Sequence, residues 1–294
     1  MEKGNYMELL WLKYFCDAAQ TENFSETARH FFVPPSNISQ TMRKLENELG
    51  VKLFDRTKNK LTLSTGGRIY YEGVKRALSE LEGAKAALSD STGIISGELR
   101  LKVCTNRRIV TKAIERFSEL YPSVAFKIRH EGGQDSDFDL IVTDAELDGE
   151  RFDKKLLVEE KVGLALSKNN PLAERAALTP KDLAQEHFIT MHEGSSMYRL
   201  VKRLCSKAGF EPNIAICTDD PLYIRKYIEM GLGIALFPTF SWKGQFSDSV
   251  VLRSIGDFNR KTYIYHPVSR YMSGAYSIFE RILIETVAEE IGKE

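Results

Sequence analysis

The stretch FFVPPSNISQ, residues 31–40, places two prolines between two segments whose apolar residues follow helical spacing. A proline has no backbone N–H and disfavours helical geometry in the residue before it, so the upstream helix must end here. Proline is nevertheless compatible with the first turn of a new helix, where its N–H would have no partner. The pair therefore predicts that one helix ends and another begins within this stretch. The sequence leaves open whether Pro34 or Ser36 caps the second of these helices.

Three amphipathic helices are predicted in the N-terminal region. The first covers the apolar residues from Leu9 to Ala19, and Ser25 can cap the second, whose apolar residues extend to Phe32. The third ends at Gly50, because glycine most readily adopts the left-handed conformation of a C-cap. A tight turn between the second and third helices is typical of a helix-turn-helix.

The solvent face of the third predicted helix carries short polar and amide side chains at its start and cations farther along. Amides and arginines read base edges in a major groove, whereas hydroxyls and cations hold phosphates. Two short strands are predicted next, around a basic turn at residues 58–60. These features in this order predict a winged helix-turn-helix that binds double-stranded DNA; the alternative is a solvated helix face beside a basic hairpin. The residues expected to contact DNA are Ser25, Ser36, Asn37, Ser39, Gln40, Arg43, Arg56 and Lys58.

Length and composition limit the class of protein. A chain of 294 residues exceeds one typical domain of about 100–200 residues, so two or more units are expected. The formal net charge is +0, so DNA binding must depend on a local patch. No apolar run approaches the roughly 18 residues of a membrane span, and the N-terminus lacks a secretory signal. The four cysteines are scattered, which fits a reducing compartment. We therefore expect a cytoplasmic protein without membrane contact.

Residues 7–67 resemble the DNA-binding domain of the LysR-type transcriptional regulators. The matching motifs include Phe24-Ser25, Leu45-Glu46 and the block LFDRT at residues 53–57. The chain departs from the family at residues 34–36, where Pro-Pro-Ser replaces the usual Ser-Gln-Pro, and at Gln40, where the family often has arginine. Base preference therefore does not carry over from the resemblance.

A long helix is predicted between the N-terminal region and the rest of the chain. Val74, Leu81 and Leu88 recur every seven residues, which favours a coiled-coil seam, although a helix packed on its own domain is the alternative. In the LysR family the corresponding helix pairs two DNA-binding domains on the half-sites of an interrupted pseudo-palindrome. The resemblance thus implies a homodimer through this helix, and a homotetramer as the usual assembly.

Beyond Gly97 the predicted strands alternate with helices, which indicates an α/β architecture. This region is similar to the LysR-type effector domain, a two-lobed, periplasmic-binding-protein-like fold with parallel or mixed sheets. The expected organisation is a winged helix-turn-helix DNA-binding domain at 1–65, a linker helix at 66–93 and an effector-binding domain at 94–294. Its first lobe is expected at about 97–165 and 267–294, and its second at about 166–266.

The resemblance implies a small-molecule effector between the two lobes. Hydroxyl and amide groups beside helix N-termini suit a small carboxylate or similar polar ligand, but ordinary helix caps and solvated charges remain the alternative. The segment HEGGQDSDFD, residues 130–139, lacks most of a helix that the family carries, so the ligand class stays open. The matching positions are Thr105, Asn106, Arg107, Ser195 and Ser196.

Enzymatic activity finds little support in the sequence. HExxH, P-loop and GxSxG patterns do not occur, and the five histidines lack metal-ligand spacing, so no catalytic residue, metal or cofactor is expected. A nucleophile set of His192, Glu193 and Ser195 lacks a recognisable orienting partner for the base. The alternative function is a small-molecule-binding or enzymatic two-lobed domain whose helix-turn-helix serves protein assembly rather than DNA.

Cys205 invites comparison with the peroxide-sensing members of the LysR family. It matches the second of their two regulatory cysteines, but Ser196 stands where the first, reactive one should be. A hydroxyl has no accessible thiolate state and cannot enter the sulfenic-acid pathway. We therefore expect a ligand sensor in which Ser196 faces the cleft and Cys205 plays no regulatory role.

Overall fold

The computed structural model describes residues 8–57, 60–175, 177–244 and 246–292. The chain divides into two compact units, Met1–Lys85 and Ala86–Glu294. No helix within the described ranges is long and apolar enough to cross a membrane.

The first unit contains the three predicted helices, the wing and most of the long helix. Pro34 is the N-cap of the third helix and Pro35 its first residue, so the prolines separate two helices as predicted. The second helix is capped by Asn23, whose Oδ1 accepts from the N–H groups of Ser25 and Glu26; the prediction that Ser25 is the cap was wrong. The elements are α1 (Leu9–Thr21), α2 (Phe24–His30), α3 (Pro35–Leu49), β1 (Phe54–Thr57), β2 (Lys60–Leu63) and α4 (Thr65–Ser91).

The wing is fixed to α3 by a buried carboxylate. Strands β1 and β2 pair antiparallel. Glu46, 4% exposed near the end of α3, accepts hydrogen bonds from the N–H groups of Leu53 at 3.0 Å and Phe54 at 3.3 Å. Buried backbone donors need such acceptors, so Glu46 holds the start of the wing against the helix.

Helix α4 is continuous over its 27 residues. Tyr71 and Val74 are buried in the core of the first unit, together with Phe15 of α1. Farther along, Leu81 is 48% exposed and Leu88 is 69% exposed. The seven-residue repeat of apolar residues therefore begins in a packed core and continues as an exposed apolar stripe.

The second unit is built from mixed sheets flanked by helices. The principal sheet has the strand order β4-β3-β5-β10-β6-β9, and β7 and β8 form a second, parallel pair. Strand β3 pairs parallel with β4 and β5, whereas β10 pairs antiparallel with β5 and β6. The elements are β3 (Gly97–Val103), α5 (Arg107–Leu120), β4 (Val124–Arg129), β5 (Leu140–Thr143), β6 (Phe152–Ser167), β7 (His187–Met191), α6 (Ser196–Ala208), β8 (Asn213–Thr218), α7 (Pro221–Glu229), β9 (Ala235–Pro238), β10 (Val250–Pro267) and α8 (Gly274–Ile291).

Strands β6 and β10 run through both lobes. Leu157 and Val158 of β6 belong to the core of the first lobe, whereas Val162 belongs to that of the second. On β10, Phe258 packs in the second lobe and Ile264 in the first. The two strands thus pass from one lobe to the other a few residues before the expected boundaries near 165 and 266. Because both strands are continuous, the boundary is set by which core each side chain enters and not by a loop.

The segment at residues 130–139 is short, as the sequence indicated. It contains only a three-residue 3-10 helix, Asp135–Asp137, between β4 and β5. Its compact course brings residues 130–132 and Asp135 to the edge of a cavity between the lobes.

Candidate functional site

The exposed face of α3 carries the side chains that the sequence assigned to DNA. Burial of Ile38, Met42 and Leu45 on the opposite face fixes the rotation of the helix. Polar groups therefore point to solvent along its length, with an amide and a hydroxyl at the start and a guanidinium about two turns later. The exposed residues among those predicted are Ser36, Asn37, Gln40 and Arg43, and Ser39 is half-buried.

Two further predicted contacts flank this helix in the first unit. Ser25 is exposed in the first turn of α2. Arg56 is exposed on β1, and its guanidinium carbon lies 5.0 Å from the centroid of the Phe24 ring. Stacking on a ring restricts the motion of the guanidinium but leaves its positive charge in place, which suits a phosphate contact. Lys58, the remaining predicted contact, lies outside the described residues.

Phe32 occupies the turn between α2 and α3. The sequence placed it on the apolar face of the second helix, but α2 ends at His30 and the Phe32 side chain is 95% exposed. Its backbone has φ 55°, in the left-handed region that bulky residues rarely adopt. The conformation belongs to the end of α2, where the N–H of Phe32 donates to Arg29 O at 3.3 Å and the N–H of Val33 to Ala28 O at 3.0 Å.

A cavity of about 450 Å³ lies between the two lobes of the second unit. Residues after β3 and at the start of α5 form one side, and the first turn of α6 forms the other. Apolar side chains complete the wall and would accommodate a hydrocarbon body. These apolar residues include Ile141, Leu147, Met191, Met197 and Trp242. All five predicted effector residues line the cavity: Thr105, Asn106, Arg107, Ser195 and Ser196.

The start of α5 presents polar atoms that are buried and unpaired. Thr105 is 5% exposed and Asn106 is 4% exposed. Asn106 is the N-cap residue of α5, in a left-handed conformation with φ 55°, but its side chain does not cap the helix. In the part of the chain that the structure describes, Thr105 Oγ1 and Asn106 Nδ2 have no hydrogen-bond partner. Arg107, the first residue of the helix, is half-buried beside them.

A buried ion pair lies behind Asn106. Arg260 and Glu160 are direct partners on β10 and β6, and their side chains are only 4% and 1% exposed, with Nη2 and Oε1 2.7 Å apart. The same Nη2 donates to Asn106 Oδ1 at 3.1 Å. Glu160 also accepts from the N–H groups of Phe240 and Ser241, at 3.1 and 2.9 Å. The charges are thus compensated and hydrogen-bonded, as a buried pair requires.

The start of α6 presents a second polar group to the cavity. Ser195 caps the helix, and its Oγ accepts from the N–H of Tyr198 at 3.1 Å. Ser196 Oγ donates to the carboxylate of Asp144, which follows β5 on the other lobe. Arg199 Nη2 lies 2.9 Å from the second oxygen of the same carboxylate. Ser196 thus faces the cleft, while Ser195 serves mainly as a cap.

A second bridge between the lobes is formed by a histidine. His192 Nε2 lies 2.8 Å from Glu131 Oε1, and His192 Nδ1 lies 2.9 Å from the carbonyl oxygen of Glu193. The hydrogen bond to the Glu193 carbonyl, and then that to Glu131, raise the pKa of His192 above its usual value. The imidazole therefore stays protonated to a higher pH than a free histidine.

Two other cations of the cavity wall are paired with acids. Lys102 Nζ lies 2.7 Å from Asp135, and Arg108 Nη1 lies 2.9 Å from Glu290. Hydrogen bonds from Lys112 and Arg108 lower the pKa of Glu290 to about 2. These ion pairs fix the cavity wall. Thr105 and Asn106, just before α5, by contrast present polar atoms without a partner among the described residues.

Cys205 is a core residue of the second lobe. Its side chain is fully buried beside Val201 and Leu204 on α6. Burial raises the pKa of its thiol to about 11. The thiolate required for oxidation is therefore scarce at neutral pH.

Sequence reasoning missed the residues that organise the cavity: Arg260, Glu160, Asp144 and Arg199. Arg260 and Glu160 lie within strands among other charged residues, where no local signal separates a buried charge from a solvated one. Asp144 had a usable signal, because it directly follows a buried strand at the end where such folds place ligand groups. No group of three or more His, Cys, Asp or Glu side chains among the described residues could hold a metal ion.

Known proteins share this organisation along nearly the whole chain. The chain is 24% identical over 294 residues to the HTH-type transcriptional regulator YybE of Bacillus subtilis (strain 168), covering 96% of this chain and 100% of that relative. It is 28% identical over 242 residues to the transcriptional dual regulator GltC of the same organism, covering 79% of this chain and 81% of that relative. A variant of full-length OxyR from Pseudomonas aeruginosa has a similar fold, with a TM-score of 0.71 at 18% identity, covering 96% and 95%. Full-length CbnR complexed with its target DNA also has a similar fold, with a TM-score of 0.61 at 18% identity, and the match covers 97% of this chain and 100% of that one.

A helix-turn-helix unit combined with a two-lobed unit around a cavity that has both polar groups and apolar walls is the organisation of a ligand-responsive transcriptional regulator. Residues 9–68 match the bacterial regulatory helix-turn-helix protein, lysR family, and residues 93–288 match the LysR substrate binding domain. The chain belongs to the LysR family and is a DNA-binding transcriptional regulator with an effector-binding domain.

Proposed function

We propose that this LysR-type regulator responds to a small organic acid whose carboxylate binds at the start of α5. The proposal is carried by Thr105 Oγ1 and Asn106 Nδ2, two buried polar atoms in the cavity wall without a partner among the described residues. Buried donors of this kind normally have an acceptor. The N-terminus of α5 and the half-buried Arg107 favour an acceptor that is negatively charged.

The size and lining of the cavity support an acid with an apolar body. About 450 Å³ lies within the range of small-molecule sites, which are mostly apolar with a few placed polar groups. Ile141, Met197 and Trp242 would contact the hydrocarbon part while its carboxylate meets Thr105 and Asn106. A hydrophobic monocarboxylate satisfies both ends of such a cavity.

The test uses binding of butyrate, hexanoate and benzoate to the full-length protein, measured by calorimetry and by the shift in DNA affinity. A hydrogen bond to a charged group contributes about 1.5–3 kcal/mol, so Thr105→Val should weaken binding by about 10- to 100-fold. Thr111→Val is the matched control, because Thr111 is exposed one turn farther along α5 and does not line the cavity. Equal affinities of wild type and Thr105→Val, or no response to any of these acids, would contradict the proposal.

The individual DNA contacts are part of the proposal. Gln40 and Arg43 would read base edges, while Arg56 and Lys58 would hold phosphates. Arg56→Ala should weaken binding about equally on all sequences and reduce the slope of log affinity against log salt by about 1. Gln40→Ala should instead relax base preference at one position, by about 1–3 kcal/mol.

Gel-shift titrations with DNA from upstream of its own gene, at several salt concentrations, measure both DNA effects. Arg116→Ala is the control, because Arg116 is a partly exposed arginine of the second unit. If neither Arg56→Ala nor Gln40→Ala differs from this control, these residues do not contact DNA. Failure of the wild type to shift DNA would favour a helix-turn-helix used for protein assembly.

The remaining assignments follow from the regulatory function. We infer that two chains pair through the exposed stripe of α4, as oligomeric DNA binding requires, and that the protein acts in the cytoplasm, where it meets its operators. Catalysis at the cavity is not expected, because Ser195 Oγ accepts the capping hydrogen bond from Tyr198 and His192 is held by Glu131. Neither is arranged as a nucleophile with its base.

A further inference from the structure

The cavity has two positions that suit an anion, and one of them already contains a protein carboxylate. We propose that Asp144 acts as a built-in anion at the start of α6, and that by occupying this position it restricts the effector to a single carboxylate. The inference rests on the proposed function of the cavity. It makes Asp144 a residue that determines specificity for effectors.

The carboxylate of Asp144 is held across the cleft at both of its oxygens. Ser196 Oγ donates to Oδ2, and Arg199 Nη2 lies 2.9 Å from Oδ1. The Asp144 side chain is only 11% exposed. Asp144 belongs to the first lobe, whereas Ser196 and Arg199 lie in the first turn of α6 in the second lobe. One lobe thus supplies an anion, and the other supplies its binding groups.

These binding groups are those that a ligand carboxylate would use. A hydroxyl, a guanidinium and a helix N-terminus together provide charge-assisted donors and a positive potential. An intramolecular carboxylate competes at an effective concentration of about millimolar or more, which a free ligand must exceed. A ligand carboxylate placed beside Asp144 would also meet a like charge. The start of α6 is therefore closed to anions.

The start of α5 is open by comparison. Thr105 Oγ1 and Asn106 Nδ2 line the same cavity and have no acceptor among the described residues. The two positions meet at Arg260, which donates from Nη2 to Asn106 Oδ1 at 3.1 Å and from Nη1 to Ser196 Oγ at 3.3 Å. A short diacid would span both positions if Asp144 were absent. The wild-type cavity consequently selects monoacids over diacids.

The first part of the test is chemical rescue of the full-length protein. Asp144→Ala should lower the melting temperature and empty the position on α6, so sodium acetate should raise the melting temperature of this variant more than that of wild type. Sodium chloride at equal ionic strength controls for salt. Asp144→Asn, which keeps the position filled by a side chain of the same shape, should respond to acetate no more than wild type does. Asp144→Ser replaces the alanine variant if that one does not fold.

The second part compares acids of equal chain length by calorimetry. Butyrate, pentanoate and hexanoate are matched with succinate, glutarate and adipate. Asp144→Ala should gain at least about 10-fold in affinity for a diacid relative to its matched monoacid, whereas the wild type should prefer the monoacid. Adding Ser196→Ala should remove both the gain and the acetate rescue.

Each outcome decides the inference. An Asp144→Ala variant that responds to acetate no more than wild type does would show that α6 holds no anion position. Rescue by acetate without a diacid gain would show that Asp144 does not set specificity. The proposed binding at α5 fails separately, because Thr105→Val should weaken monoacid binding by about 10- to 100-fold yet leave the acetate rescue of Asp144→Ala intact.

Discussion

Replacing Arg260 with methionine removes half of the buried ion pair while keeping an unbranched side chain in its place. Glu160 is then left without its charged partner, with its side chain 1% exposed, and it loses the Arg260 donors at 2.7 and 3.2 Å. Breaking a buried pair in this way costs about 3–5 kcal/mol. Glu160 keeps three other donors, from the Phe240 and Ser241 N–H groups and from Ser241 Oγ. We therefore expect the lower end of this range, about 3 kcal/mol.

The double variant Arg260→Met with Glu160→Gln gives the decisive comparison. Glutamine keeps an oxygen that can accept from Phe240 and Ser241 but carries no charge, so the double variant should be more stable than Arg260→Met alone by about 2 kcal/mol. For a unit of this size, a loss of about 3 kcal/mol corresponds to a fall in melting temperature of about 6–12 °C.

Tryptophan fluorescence can follow the unfolding of this unit selectively. The sequence contains two tryptophans, and Trp242 lies in the second unit beside Ser241. In a Trp11→Phe background, urea titration of Trp242 fluorescence measures the free energy of unfolding of the cavity region. The reasoning is refuted if the free energy of unfolding of Arg260→Met lies within about 1 kcal/mol of that of wild type. It is also refuted if the losses measured for Arg260→Met and for Glu160→Gln alone add up to the loss in the double variant.

The other predictions concern the linker, one titrating bridge, the turn and the buried cysteine. Leu81→Glu with Leu88→Glu places charges in the proposed dimer seam, so light scattering should show loss of the contact and DNA affinity should fall sharply; unchanged assembly and binding would contradict the seam. Because the pKa of His192 is raised, its bridge to Glu131 makes its full contribution to folding stability below about pH 6.5. That contribution is lost as pH rises through the raised pKa. The melting temperature of wild type minus that of His192→Gln should therefore shrink from pH 6 to pH 8.5, and a flat difference would exclude the bridge. Phe32→Asn should stabilise the first unit by about 1 kcal/mol in urea titrations, since asparagine tolerates left-handed backbone better, whereas equal or lower stability would show that the phenyl ring compensates for its strain. Peroxide should leave DNA affinity unchanged in wild type and in Cys205→Ser, and a peroxide effect lost in the variant would make Cys205 a sensor.

Local patterns predicted the first unit well. The two prolines at 34 and 35 separate two helices because the constraint lies in the residues themselves, and the left-handed Gly50 ends α3 for the same reason. Phe32 escaped prediction, because its apolar side chain matched the helical spacing while the turn required it to leave the helix. Local periodicity identifies an element, but the geometry of the next element decides where it ends.

Nonlocal pairing explains what was missed in the second unit. Strands β6 and β10 are 16 and 18 residues long and pair antiparallel, but their exposed charged residues break the apolar pattern near the crossings between the lobes. Arg260 and Glu160 meet only because that register brings them together across 100 positions of sequence. The cavity-lining residues near helix N-termini were predictable, whereas the network behind them depended on the register of the sheet.

The buried ion pair also determines what the start of α5 can bind. An asparagine amide offers a donor and an acceptor, and either could face a cavity. In Asn106 the oxygen accepts from Arg260 Nη2 at 3.1 Å and from Thr262 Oγ1 at 3.3 Å, so the amide nitrogen is the end left without a partner in the described part of the chain. Turning the amide over would place its N–H₂ group against the guanidinium, donor against donor. Arg260 is itself fixed by Glu160, whose position follows from the pairing of β6 and β10. The register of two long strands thereby makes the start of α5 a hydrogen-bond donor, and a donor beside a helix N-terminus selects an anion.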